Sequence, residues 1–246
     1  MSEEVKQFWE QQAESYTGNY ADVRRGTNHN FRTRLALVCR LARGCHGRLL
    51  DCATGSGEIT EAVLCSGGFE EADLVDISEP MLQLSRARLD VPGGSVRLKW
   101  IHSSIFDFLV SSDPQPRYGL VLCLGLVAHT GRLDELLRLC GERLVPGGRI
   151  LLQTSLLDHP GTRFLRWFSA ERHRRSKGYA ISYYSDEEIT NAVDRSGLTL
   201  IEKRRFAVGV PYGDRLCAPL NYLLEKHGES WAARHGMDAI YSIGRT

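Results

Sequence analysis

The chain has 246 residues, of which 42% are apolar and 25% charged, and its formal net charge is +1. That length and balance fit one large α/β domain of ordinary globular type, and the near-zero charge leaves no electrostatic footprint for nucleic acid or a membrane surface. No apolar run approaches the roughly 18 residues of a membrane span. The opening "MSEEVKQFWEQQAESY" is acidic and amphipathic, so it does not read as a secretory signal.

In chain order, residues 1–45 read as a helical lead-in. "GRLLDCA" (Gly47–Ala53) is a short buried strand, and "GEITEAVLCSGG" is a helix closed by the Gly67–Gly68 pair. "EADLVDIS" is a second strand, with Asp76 at its end. "EPMLQLSRARLD" is a helix with Ser78 as N-cap and Pro80 in its first turn. "VRLKWIHSS" is a third strand. "YGLVLCLGLVAH" is a fourth, without polar alternation, as a strand covered on both faces requires. "LDELLRLCGERLVPGG" is an amphipathic helix stopped by Pro146–Gly147–Gly148, and "RILLQTSL" is a fifth strand. After "SDEEITNAVDRSG", a further helix, the sequence ends in two long strands, "LTLIEKRRFAVGV" and "DAIYSIGR". The expected fold is therefore α/β: a doubly wound, mostly parallel seven-stranded sheet flanked by helices. Residues 1–45, 156–184 and 211–236 interrupt the alternation and are candidates for a cap over the carboxyl edge of the sheet.

The seven cysteines (Cys39, Cys45, Cys52, Cys65, Cys123, Cys140 and Cys217) are odd in number and form no C-x-x-C pair. They predict neither a disulfide framework nor a zinc site, and no metal is expected; small thiols buried in a reducing, cytoplasmic compartment are. The informative stretch is "LLDCATGSGEIT". A strand, a carboxylate, a small-residue turn and a helix follow one another, and such a turn lets a ligand approach backbone N–H groups at a helix N-terminus. A dinucleotide pyrophosphate would call for G-x-G-x-x-G, but the third position is Thr60 counted from Gly55 and Glu58 counted from Ala53. A nicotinamide-dependent oxidoreductase is disfavoured on that ground.

Asp51-x-Ala53-x-Gly55-x-Gly57 instead resembles the first motif of class I S-adenosylmethionine-dependent methyltransferases of the small-molecule type, with Ala53 where a glycine is usual. Further motifs follow in order. Asp76 stands where the family carries a carboxylate for the ribose hydroxyls, and Ile77 and Met81 would flank the adenine. Ser104, in "HSSIFDF", holds a position that is usually acidic in the family and meets the adenine amino group, a contact that here falls to Ser104, Asp107 or the Ile105 backbone. "LVLCLGLVAH", with Leu124 at the cofactor, and the "RLVPGG" turn resemble the fourth-strand and following motifs. "FWEQQAESY" resembles the lead-in helix that folds over the cofactor, with Tyr16 at the methionine end; in some relatives an arginine at the place of Arg34 pairs with the cofactor carboxylate.

The resemblance implies one methyltransferase domain over 1–246: a helical lid (1–45), a cofactor-binding half (46–155) and a cap and substrate-binding half (156–246). It implies S-adenosyl-L-methionine as cofactor, S-adenosyl-L-homocysteine as product, and direct displacement of the sulfonium methyl by an oxygen, nitrogen or carbon nucleophile held in line. His129 is equally well a packing histidine or the general base. The aromatics of 164–184 serve as a small core under a loop or as acceptor contacts, and "ERHRR" reads as a solvated face. The Asn/Asp-Pro-Pro-aromatic tetrad of nucleic-acid methyltransferases is absent, since Leu124-Gly125-Leu126-Val127 stands there. A small or medium-sized metabolite is therefore the expected acceptor, with no nucleic acid or membrane partner. The oligomeric state is not readable. A cofactor-binding subunit without catalysis is the remaining alternative.

Overall fold

The computed structural model describes residues 3–16, 29–90, 95–111, 116–163, 179–208 and 231–245. Two helices, α1 (Glu3–Tyr16) and α2 (His29–Leu41), precede β1 (Gly47–Asp51). Then come α3 (Glu58–Cys65), β2 (Phe69–Asp76), α4 (Glu79–Leu89), β3 (Arg97–His102), α5 (Ile105–Ser111) and β4 (Tyr118–Leu124). The short α6 (Val127–Thr130), α7 (Leu133–Glu142) and β5 (Leu144–Ser155) complete the alternation, followed by α8 (Asp186–Arg195), β6 (Thr199–Phe206), a 3₁₀ turn (Trp231–His235) and β7 (Asp238–Gly244).

Among the described residues the sheet has seven strands in the order β3-β2-β1-β4-β5-β7-β6. The first five are parallel and β7 runs antiparallel between β5 and β6. The order reverses between β1 and β4, which opens a crevice beyond their carboxyl ends. Strand alternation divides the core in two. Leu50, Val121, Ile150 and Tyr241 face α5, α7 and α8, while Leu49, Leu74, Leu120 and Ile240 face α2 and α3. β4 is buried along six of its seven residues, as its unbroken apolar run predicts.

Local rules place the helices. Ser78 caps α4, its Oγ accepting the Met81 N–H, with Pro80 in the first turn. Ser185 and Glu188 close a reciprocal capping box on α8. At the amino ends of the strands Arg48 donates to both oxygens of buried Asp73, at 2.9 and 2.8 Å, and the Tyr118 hydroxyl donates to Asp73 Oδ2 at 2.6 Å, tying β1, β2 and β4 together.

The sequence reading had no helix at α5 and ran β6 past Phe206, and two boundaries nearer the site also differ. β4 ends at Leu124, because Gly125 turns at φ 76° into α6, so His129 sits on a helical turn and not at a strand end. Helix α7 stops at Glu142 and not at Pro146: Arg143 is buried and donates to the Leu109 carbonyl, which ends the helix and starts β5 at Leu144. The Pro-Gly-Gly stretch then bulges between the pairs Tyr118↔Leu144 and Leu120↔Arg149. Among the described residues no helix is long and apolar enough to cross a membrane.

Gly119 has no room for a side chain, since a Cβ there would lie 1.9 Å from the His46 carbonyl oxygen, which is backbone and cannot swing away. Gly119→Ala is therefore expected to cost at least about 2 kcal/mol by overpacking, read as a lowered urea midpoint with an unchanged slope.

Candidate active site

The turn after β1 is held from two sides by buried carboxylates. Asp51, the last residue of β1, accepts the Ala53 N–H at 3.3 Å and the Thr60 hydroxyl at 2.5 Å, which ties the start of the turn to α3. Burial pushes the Asp51 pKa up, opposed by those two hydrogen bonds and by the charge of Arg34. Asp76, the last residue of β2, accepts the Gly55 N–H at 2.8 Å on Oδ2 and the Ser78 N–H at 2.9 Å on Oδ1. Its burial pushes its pKa up to about 6 in spite of those donors, and the neighbouring Asp51 charge adds to the rise.

The two motif glycines differ in task. Both have positive φ, 55° at Gly55 and 84° at Gly57. A Cβ on Gly55 would meet nothing within 4 Å, and Gly55 lines the cleft. A Cβ on Gly57 would lie 3.1 Å from Ser85 Oγ and 3.2 Å from Leu89 Cδ1, so that glycine lets α3 pack on α4.

The cleft, with a cavity volume of about 210 Å³ and open to solvent, lies at the carboxyl ends of β1, β2 and β4. Of the residues singled out in the sequence, Arg34, Ala53, Gly55, Asp76, Ile77, Met81, Leu124 and His129 line it. Asp51 and Gly57 support the turn from behind. Ser104 and Ile105 are buried beside the cleft; Ser104 Oγ is without a hydrogen-bond partner among the described residues, and the Ile105 side chain is part of the core. Tyr16 ends α1, but its side chain lies outside the described residues, as do residues 164–178 and 209–230 of the expected cap.

The lining also includes Val5, Trp9, Cys52, Gly125 and Leu126, which were not read as site residues. Val5 and Trp9 come from α1, which packs against α4 and covers the cleft, so the amphipathic lead-in was the available signal. Cys52, Gly125 and Leu126 adjoin motif residues and carried no signal of their own. Over the cleft stands an aromatic group. The Trp9 ring meets the His129 ring edge-on at 5.3 Å, and Tyr179 meets Phe8 at 5.8 Å. The Tyr179 hydroxyl lies 2.8 Å from His129 Nδ1, donor and acceptor being set by the imidazole tautomer.

A sheet of this order, with a glycine turn gripped by two carboxylates at its switch point, defines the class I methyltransferase fold. A solved S-adenosylmethionine-dependent methyltransferase of Leishmania major superposes with a TM-score of 0.62 at 15% identity, over 97% of this chain and 81% of that one. The N-methyltransferase NodS of Bradyrhizobium japonicum, solved with S-adenosyl-L-homocysteine, gives 0.61 at 13% identity over 97% and 98%. The sequence is 23% identical over 206 residues to a ubiquinone biosynthesis O-methyltransferase of Nitrobacter winogradskyi, covering 80% of this chain and 67% of that protein. The profile of a methyltransferase-domain family matches residues 20–203. The chain belongs to that family and is an S-adenosylmethionine-dependent methyltransferase.

The open space at Gly55, the orphaned Ser104 hydroxyl and the free faces of the Asp76 carboxylate suit a nucleoside with a vicinal diol, as this cofactor has. The glycines yield a test that needs no ligand. Gly57→Ala meets both left-handed strain and the α4 contacts, whereas Gly55→Ala meets the strain alone, about 1–2 kcal/mol. Gly57→Ala is expected to unfold at the lower denaturant concentration of the two.

Proposed function

We propose that the chain transfers the methyl group of S-adenosyl-L-methionine to an oxygen or nitrogen nucleophile of a small, flat, apolar acceptor, a hydroxyl foremost. The single observation that carries this reading is that one cleft runs from Asp76 to His129 under an aromatic roof. Asp76 would accept the ribose hydroxyls, Ile77 and Met81 would sandwich the adenine, and Ser104 would take its polar edge. The Gly55 turn would pass close to the methionine portion, with Arg34 toward its carboxylate and Leu124 below it. The bound cofactor supplies an electrophilic methyl on a sulfonium, which needs positioning more than activation. The hydroxyl preference draws support from the O-methyltransferase relatives.

The roof defines the acceptor side. Trp9 offers a flat apolar wall. If the Tyr179 hydroxyl accepts from His129 Nδ1–H, Nε2 is the ring nitrogen that would take the acceptor proton as the acceptor oxygen attacks. In this reading α1 is a lid that excludes water from the reacting atoms, and the segment after β5 would contribute to the acceptor half through Tyr179. No nucleic-acid partner is proposed.

Two experiments test the assignment. Hydroxyl donors on Asp76 favour its ionised form, so binding draws its pKa back toward that of an ordinary carboxylate. The sign follows directly: the raised carboxyl in the free protein must lose a proton to bind, so affinity is full above pH 6 and falls as pH drops through 6. Isothermal titration with S-adenosylhomocysteine should show binding about tenfold weaker at pH 5 than at pH 7.5 if the bound value is about 4. Asp76→Asn should flatten that dependence while costing about 1–3 kcal/mol of affinity. Retained pH dependence in the variant would move the ribose elsewhere. For the base, His129→Gln should lower kcat by roughly 10²–10⁴-fold with cofactor affinity changed only a few-fold. The rate is read as S-adenosylhomocysteine release against a panel of phenols and aromatic amines. A loss of tenfold or less would leave His129 a packing residue of the roof.

A further inference from the structure

Three cysteines that are far apart in sequence meet beneath the cleft floor. Cys52 lies in the turn after β1, Cys123 on β4 and Cys140 on α7. Their sulfur atoms all lie within 4.8 Å of one another, and the three side chains are 2%, 0% and 0% exposed. The Cys123 thiol donates to Cys52 Sγ at 3.5 Å. Apolar side chains, Leu50, Phe106, Leu136 and Leu137 among them, belong to the same core cluster. Packing of small thiols accounts for the burial of each cysteine singly. It gives no reason for three sulfur atoms from three elements to converge within bonding reach of one small ion.

The chemistry of the group is specific. A donor set made of sulfur alone selects soft ions over magnesium, calcium or manganese. Charge then selects among the soft ones. Three thiolates around a divalent ion carry one net negative charge, and one around a monovalent ion would leave two. Buried Arg143 caps α7, its backbone N–H donating to the Cys140 carbonyl at 3.0 Å, and so brings one positive charge close to the sulfurs. One buried guanidinium offsets the single negative charge of the divalent complex but only one of the two on the monovalent one, and unbalanced charge is costly in an apolar core. Cys52 also lines the cleft, so an ion has a route to the sulfurs without unfolding the sheet.

We propose that Cys52, Cys123 and Cys140 form a trithiolate site for one soft divalent cation of the zinc class. Binding forms three metal–sulfur bonds and releases to solvent the proton of each thiol still protonated, with no redox change. A fourth position is left for water, as in zinc sites with three protein ligands. The ion would fasten the cofactor turn to β4 and α7 from below, and the inference stands independently of the acceptor reading above.

The test uses the reduced full-length chain, titrated with Zn²⁺ against a chromogenic chelator and with Cd²⁺ followed by its thiolate charge-transfer absorption. One Zn²⁺ per chain is expected with sub-micromolar affinity, and the Cd²⁺ band intensity should count three thiolates per ion. Saturating zinc should raise Tm by roughly 5–10 °C, reversed by chelator. Replacing Cys39, Cys65 and Cys217 together by serine should leave binding intact, whereas Cys123→Ala or Cys140→Ala should weaken it by at least about 100-fold. No saturable binding by the folded wild-type chain overturns the proposal, as does binding that persists in both core variants. Fewer than three thiolates per Cd²⁺ in the wild type does so too, a readout that holds even if the core variants fail to fold.

Discussion

The Gly55 N–H donated to Asp76 is the bond on which the site depends. It joins the turn after β1 to the end of β2, alongside the Thr54 N–H that donates to the Val75 carbonyl at 3.1 Å. Asp51 secures the same turn from its other end through Ala53 and Thr60. A turn made of small residues has no side-chain mass to pack, so its shape must be imposed by neighbours. Two carboxylates impose it and leave its outer surface bare.

That arrangement has an electrostatic cost, and the cost is localised. Asp73, also on β2, is buried more deeply still but has Arg48 and Tyr118 around its oxygens. Asp76, three residues on, has only backbone donors, and desolvation lifts its pKa. The strand thus carries one carboxylate whose bonds are complete and another left short of donors at the cleft. The second is the one that lines the cleft, where a hydroxyl donor would favour its ionised form.

Much of this was legible in the residues. The alternation of buried strands and amphipathic helices, and the N-caps at Ser78 and Ser185, are local properties and came through. Ala53, Gly55, Asp76, Ile77, Met81 and Leu124 line one cleft, because each lies at or just beyond the carboxyl end of β1, β2 or β4. The end of α7 was not legible, since Arg143 stops it by reaching a carbonyl on α5, a long-range bond that no window around Pro146 displays. The distinct duties of Gly55 and Gly57 were hidden for the same reason: only the position of α4 separates them. The convergence of Cys52, Cys123 and Cys140 depends on strand register and helix placement together, so their sequence spacing was mute.

The sheet order also bears on how the chain comes to be folded. β7 follows β6 in sequence, yet it lies between β5 and β6 and hydrogen-bonds to both. While the chain emerges from the ribosome, β5 presents an open edge and β6 has no strand to join until residues 238–244 are available. The late-synthesised strand is therefore a keystone and not an appendage. A nascent chain stalled before it would expose the apolar rim of β5, where Ile150 and Leu152 later pair with Ile243 and Tyr241. The half-sheet of β1 to β5 can gather first, but its last edge stays sticky until the keystone is set.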